Sequence, residues 1–102
     1  MLSIPQQQLD YIKDTLSHFL PEHVSTFAFG SRTKGDVRQT SDLDLLLVSD
    51  TRIAPQILAQ LSEEFTDSDL VFPIDLIEDM SISTEFHNHI QAGLVLLIAA
   101  HS

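Results

Sequence analysis

Residues 24–49 read VSTFAFGSRTKGDVRQTSDLDLLLVS, and this stretch decides the fold. Val24, Thr26 and Ala28 alternate with Ser25, Phe27 and Phe29, the period of two expected of a strand. Gly30 stops it, because a residue without Cβ permits a tight turn and close backbone approach. Asp42 to Ser49 reads as a second strand, and its Leu and Val content places it centrally, buried on both faces. Between the two, Lys34-Gly35-Asp36 and Gln39-Thr40-Ser41 carry turn signals. A hairpin-like connection without a crossover helix makes the two strands antiparallel.

Outward from this unit the pattern becomes helical. Ser3, Pro5 and Gln6 read as a helix start, with Ser3 as cap and Gln6 completing a capping box. Leu9, Ile12, Leu16, Phe19 and Leu20 recur at helical spacing, so residues 5–20 form an amphipathic helix ending before Pro21. A second helix spans 54–65, with Ile57, Leu58, Leu61 and Phe65 inward. Leu70 to Ile77 is a third strand, and Pro73 within it marks an edge or a bulge. Ser83 caps a helix over 84–92 that Gly93 ends, and Leu94 to Ala99 is a last strand, read as buried in preference to an exposed edge that a partner strand or helix could cover. The order αβ(loop)βαβαβ describes an α/β (α+β) domain: a small mixed sheet with helices packed on a covering face. The crossover before the third strand allows a parallel pair. With no repeat or low-complexity tract, residues 1–102 read as one domain.

Composition narrows the function classes. Fifteen Asp and Glu oppose five Lys and Arg, a net charge of −10. Such a surface repels nucleic acid and anionic lipid, whose phosphates are bound mainly by Lys and Arg. The charge fits a solubilising surface, an acidic site neutralised by divalent metal, or an acidic face for a basic partner. There is no cysteine, so thiolate metal sites are excluded. MLSIPQQQ lacks the regions of a signal peptide, and the apolar run Leu94 to Ala100 is too short to span a bilayer, so the expectation is a cytoplasmic protein.

Asp42 and Asp44 lie two apart on a strand, on one face, with Cα atoms roughly 6–7 Å apart. They can converge on one divalent ion or on two about 4 Å apart, as in two-metal phosphoryl chemistry. Leu43 and Leu45 face the other way, into the core. Asp75 is the lone charge in VFPIDLI. If its strand neighbours the one carrying Asp42 and Asp44, three carboxylates meet, and without a cation they raise one another's pKa. Glu78 and Asp79 are fallback candidates past the strand end. Gly30-Ser31 closes the first strand at a turn suited to a terminal phosphate. Arg32, Lys34 and Arg38, three of the five basic residues, fall in the same loop and suggest an anion there. His87 and His89, two apart on a helix, face differently and read as surface residues. His18, His23 and His101 have no evident partner, and Tyr11, the only tyrosine, reads as packing in preference to a site of self-modification.

GSRTKGDVRQTSDLD followed by LLLV, with the later PIDLIE and FHNHIQAGLVLL, resembles the signature of the DNA polymerase β-like nucleotidyltransferase superfamily. Within it the chain is similar to the minimal nucleotidyltransferases, the MntA-like antitoxins of HEPN/MNT pairs. The resemblance implies transfer of a nucleoside monophosphate from an NTP with loss of pyrophosphate, using two Mg²⁺ ions and ATP as substrate. It implies Asp42 and Asp44 as ligands of both ions, and Asp75 as ligand of the catalytic ion that helps deprotonate the acceptor. Gly30 and Ser31 would grip the β- and γ-phosphates, with Arg32 assisting. Larger relatives append a helical acceptor-binding domain that is not evident here. The implied acceptor is therefore a partner protein, a tyrosine of a HEPN-domain toxin, in a type VII-like antitoxin system with a homo- or hetero-oligomeric assembly. Two alternatives stay open: an antitoxin that neutralises its HEPN partner by binding alone, and transfer to a small molecule such as an aminoglycoside.

Overall fold

The computed structural model describes residues 4–30 and 42–100. Helix α1 (Gln6–Phe19) leads into β1 (Ser25–Phe29), followed by β2 (Leu43–Val48), α2 (Pro55–Thr66) and β3 (Ile74–Glu78). A 3-10 turn over Asp79–Ser81, helix α3 (Thr84–Ile90), a second 3-10 turn over Gln91–Gly93 and β4 (Val95–Ile98) complete the order. The described strands form one sheet in the order β3-β2-β1-β4. β1 is antiparallel to β2 and to β4, while β2 and β3 are parallel, so the mixed sheet expected from the sequence is present.

Alternation in the strands sorts the side chains onto two faces. Val24, Ala28, Leu43, Leu45 and Leu47 face α1 and α2, packing with Ile12, Leu16, Leu61 and Phe65. Each of the fully buried Leu and Ile side chains contributes about 1.5–3 kcal/mol. Phe29 and Leu46 turn to the other face and pack with Ile90 of α3. Helices therefore cover both faces rather than one. The apolar run of β2 reflects this, since both of its faces are roofed.

Several boundaries depart from expectation. Ser3 lies outside the described residues, but α1 is capped by Pro5 with no side-chain hydrogen bond. Gln6 Nε2 donates to Asp10 Oδ1 (2.8 Å), and the Ser3 half of the expected capping box falls among the residues not described. β3 begins at Ile74 rather than Leu70, since Val71 is exposed and Phe72 folds back into the core. Pro73 has no N–H for a ladder, yet its carbonyl accepts from Leu43 N (2.9 Å). That bond levels the start of β2 with the start of β3. The third helix ends at Ile90, and the chain then tightens into a 3-10 turn that takes in Gly93. β4 is not a buried strand: it is a sheet edge, and Leu96 is 53% exposed.

Candidate functional site

The parallel register sets Asp44 of β2 directly beside Asp75 of β3, and the antiparallel register sets Asp44 opposite Phe29 of β1. Asp42 precedes β2 by one residue and is exposed, on the Asp44 side by alternation. The sequence expectation that β3 neighbours β2 at its carboxylates is met. Burial, then the negative charges of Asp75 and Asp42, hold the Asp44 carboxyl above its ordinary value. A carboxyl held up by burial and by two neighbouring acids marks a site that a cation would relieve. Among the described residues, no three His, Cys, Asp or Glu side chains converge tightly enough to enclose an ion. The donor set of hard carboxylate oxygens, one half-buried and two exposed, nonetheless suits Mg²⁺, which keeps several waters and binds through a few carboxylates.

Gly30 backs this cluster. Its φ is +92°, in the region L side chains disfavour, and a Cβ placed there would run into Asp44 Oδ2. The glycine is thus required twice, by its backbone angle and by the carboxylate against it. Ser31, Arg32, Lys34 and Arg38, the remainder of the expected phosphate grip, lie outside the described residues.

Glu78 and Asp79 do not join the cluster. Glu78 closes β3 in register with Leu47, on the face of α1 and α2, where its Oε2 accepts from Ile53 N (3.4 Å). Asp79 Oδ1 stands 3.3 Å from His87 Nε2, near enough for attraction without hydrogen-bond alignment. His89 points elsewhere than His87, as helix spacing requires. It lines a cleft of about 270 Å³ with Phe29, Gly30, Asp44, Phe86, Ile90 and Gly93. Sequence reasoning missed this wall. Its signal was Phe86 four residues before Ile90, which reads as a core pair rather than as one buried and one half-open residue. His23 does find a partner, Thr51 Oγ1 at 3.3 Å, and His18 packs edge-on against Phe19. Tyr11 packs against Phe65 and donates to Glu64 Oε2 (3.2 Å), as its position suggested. A larger hollow of about 410 Å³ between α1 and the segment after α2 holds Tyr11, Gln7 and Gln8, but none of the three carboxylates.

Among the described residues no helix is long and apolar enough to cross a membrane. The family model described as Polymerase beta, Nucleotidyltransferase matches residues 10–101. The chain is 32% identical over 96 residues to the probable protein adenylyltransferase MntA of Haemophilus influenzae, covering 94% of this chain and 83% of that protein. The fold is similar to a toxin–antitoxin crystal structure with AMP-PNP (TM-score 0.74, 20% identity, 91% of this chain and 74% of that one). It is also similar to a complex of tri-AMPylated Shewanella oneidensis HEPN toxin with MNT antitoxin (TM-score 0.69, 19% identity, 93% and 72%). Identities that low speak for the fold alone, whereas the family match spans nearly the whole chain. The acid pair on adjacent parallel strands, backed by a glycine turn, thus sits in a member of the polymerase beta nucleotidyltransferase family.

Proposed function

We propose that this chain transfers AMP from ATP to a tyrosine hydroxyl of a HEPN-domain toxin and so acts as its antitoxin, working as a single domain over residues 1–102. The observation that carries the proposal is the register of Asp44 against Asp75 beside Gly30. It is supported by the 32% identity to a probable protein adenylyltransferase and by the fold shared with an antitoxin bound to an AMPylated HEPN toxin.

In this reading Asp42, Asp44 and Asp75 would hold two Mg²⁺ ions. Bound there, Mg²⁺ would neutralise charge on the phosphoryl oxygens and lower the pKa of an oxygen beside it. Gly30 lets the backbone of the turn come against the triphosphate, where Ser31 and Arg32 grip the β- and γ-phosphates. Asp75, on the edge strand, takes the proton of the acceptor hydroxyl as that oxygen attacks the α-phosphorus. The bond from the α-phosphorus to the bridging oxygen breaks, and pyrophosphate leaves on the Gly30 side. Positioning and electrostatics supply the rate, since the chemistry asks for no covalent enzyme intermediate. The acidic surface suits a basic partner better than a nucleic acid.

Incubation with α-labelled ATP, Mg²⁺ and the candidate toxin tests this. Label on the toxin that disappears in the Asp42→Ala/Asp44→Ala variant, while the complex persists, is the expected result. Neutralisation by that variant without label would replace the proposal with an antitoxin acting by binding alone.

A further inference from the structure

Phe86 is 39% exposed, yet it is held in place. Ser83 Oγ accepts from its backbone N–H (3.1 Å) at the helix cap, and its ring meets Phe29 edge-on with centroids 6.1 Å apart at 77°. Ile90, one turn on, anchors α3 to Phe29 and Leu46. A single exposed apolar residue is ordinary on a protein surface. Phe86 differs because it walls the same cleft as Gly30 and Asp44. At about 270 Å³ that cleft is just below the range of drug-sized sites and suits a nucleoside-sized group.

On the transfer proposed above, the sheet order bears on which part of the substrate would lie there. Asp75 is on β3, at one side of β2, and Gly30 follows β1, at the other. In an in-line displacement the acceptor enters on the Asp75 side and pyrophosphate departs on the Gly30 side. The nucleoside is an equatorial substituent of the reacting phosphorus, so it leaves at a right angle to that line. On the carboxylate face of the sheet, the element standing over β1 and β2 is α3. Its aromatic residue is Phe86.

We propose that Phe86 is the platform on which the nucleobase of the incoming nucleoside triphosphate stacks, with His89 at the rim of the same cleft. This rests on the nucleotidyl transfer proposed above and adds the residue that holds the base. Stacking on an aromatic face is tolerant of base identity, so Phe86 contributes affinity and leaves the choice among purines to other groups.

Calorimetric titration of the full chain in Mg²⁺ with AMP-PNP, and separately with inorganic tripolyphosphate, tests it. Phe86→Ala and Phe86→Leu are expected to weaken AMP-PNP about 5- to 150-fold, the range of base–aromatic stacking, while tripolyphosphate binding is unchanged. Phe86→Tyr keeps a ring and should bind as the wild type does. Unchanged AMP-PNP affinity in Phe86→Leu overturns the inference, as does an equal loss for both ligands, which would mean the cleft had collapsed. Wild-type protein that takes up neither ligand overturns it together with the proposed function, and is distinguished by failing before any substitution is made.

Discussion

Replacing Gly30 with alanine perturbs a backbone angle and a carboxylate at once, and the two effects can be separated. At φ +92° the new residue sits in the left-handed region, which costs about 1–2 kcal/mol. The added Cβ also meets Asp44 Oδ2, with Asp44 Cγ 3.4 Å and Cβ 3.7 Å away. Oδ2 is the far end of a rotatable side chain, so rotation relieves the collision and the backbone angle dominates the stability loss. For a domain of this size each kcal/mol lowers the melting temperature by about 4–8 °C, so the expected fall is about 4–16 °C. Rotation takes the carboxylate away from its place beside Asp75, and misplacement by about 1 Å near reacting atoms slows chemistry about 100-fold. Gly30→Ala should therefore remain folded at room temperature and still transfer label about 100-fold more slowly. Circular-dichroism melts and single-turnover transfer to the toxin read the two effects. In an Asp44→Ala background the melting penalty should persist, because it belongs to the backbone. Wild-type transfer by Gly30→Ala, or a melting penalty that vanishes in that background, refutes the reasoning.

Asp44→Asn should melt higher than the wild type at neutral pH while losing transfer. Burial and the charges of Asp75 and Asp42 raise the carboxyl's pKa in the folded state above its unfolded value. The stability that goes with the bound proton is present in acid and lost as pH rises through the raised value, and the amide removes that loss. A variant that melts lower, or keeps the wild-type pH slope, contradicts this. Asp75→Asn, at an exposed position on an edge strand, should shift melting by no more than about 4 °C. It should lower transfer about 100- to 10,000-fold, as loss of a general base does, and a rate near wild type would remove Asp75 from that role. Thr26 is fully buried, and among the described residues its Oγ1 has no hydrogen-bond partner. Thr26→Val keeps the shape and removes a desolvated hydroxyl, so it should stabilise by about 1–3 kcal/mol, and a lower denaturation midpoint would show that the hydroxyl is satisfied.

The elements legible in the sequence are those whose burial pattern has a single explanation. Leu43, Leu45 and Leu47 against Asp42 and Asp44 could only be a strand with one apolar face and an acid-tipped other, and that is how β2 lies. Ile12 and Leu16 placed α1 in the same way. Where apolar character came without period, the reading failed. Val71 and Phe72 look like the start of a strand, but Phe72 is buried by folding back, and β3 waits for the first residue after Pro73. VLLI in β4 reads as a buried strand, yet an edge position leaves Leu96 half open. At the site, the carboxylates were legible because charge inside an apolar strand asks for a reason. The cleft wall was not, since Phe86 and His89 come to share a cleft with Gly30 through a packing of α3 on the sheet that local spacing does not encode.

Asp44 sits on a strand laced to neighbours on both sides, whereas Asp75 rides on β3, which the described sheet ties on one side only. Margins of a sheet fray at lower free energy than its middle. Peeling of residues 74–78 would part the two acids while the interior stayed intact, and on the proposed mechanism that would stop transfer without denaturation. Amide protons there should accordingly exchange faster than those of residues 43–48, and whatever braces that border would govern how often the enzyme is armed.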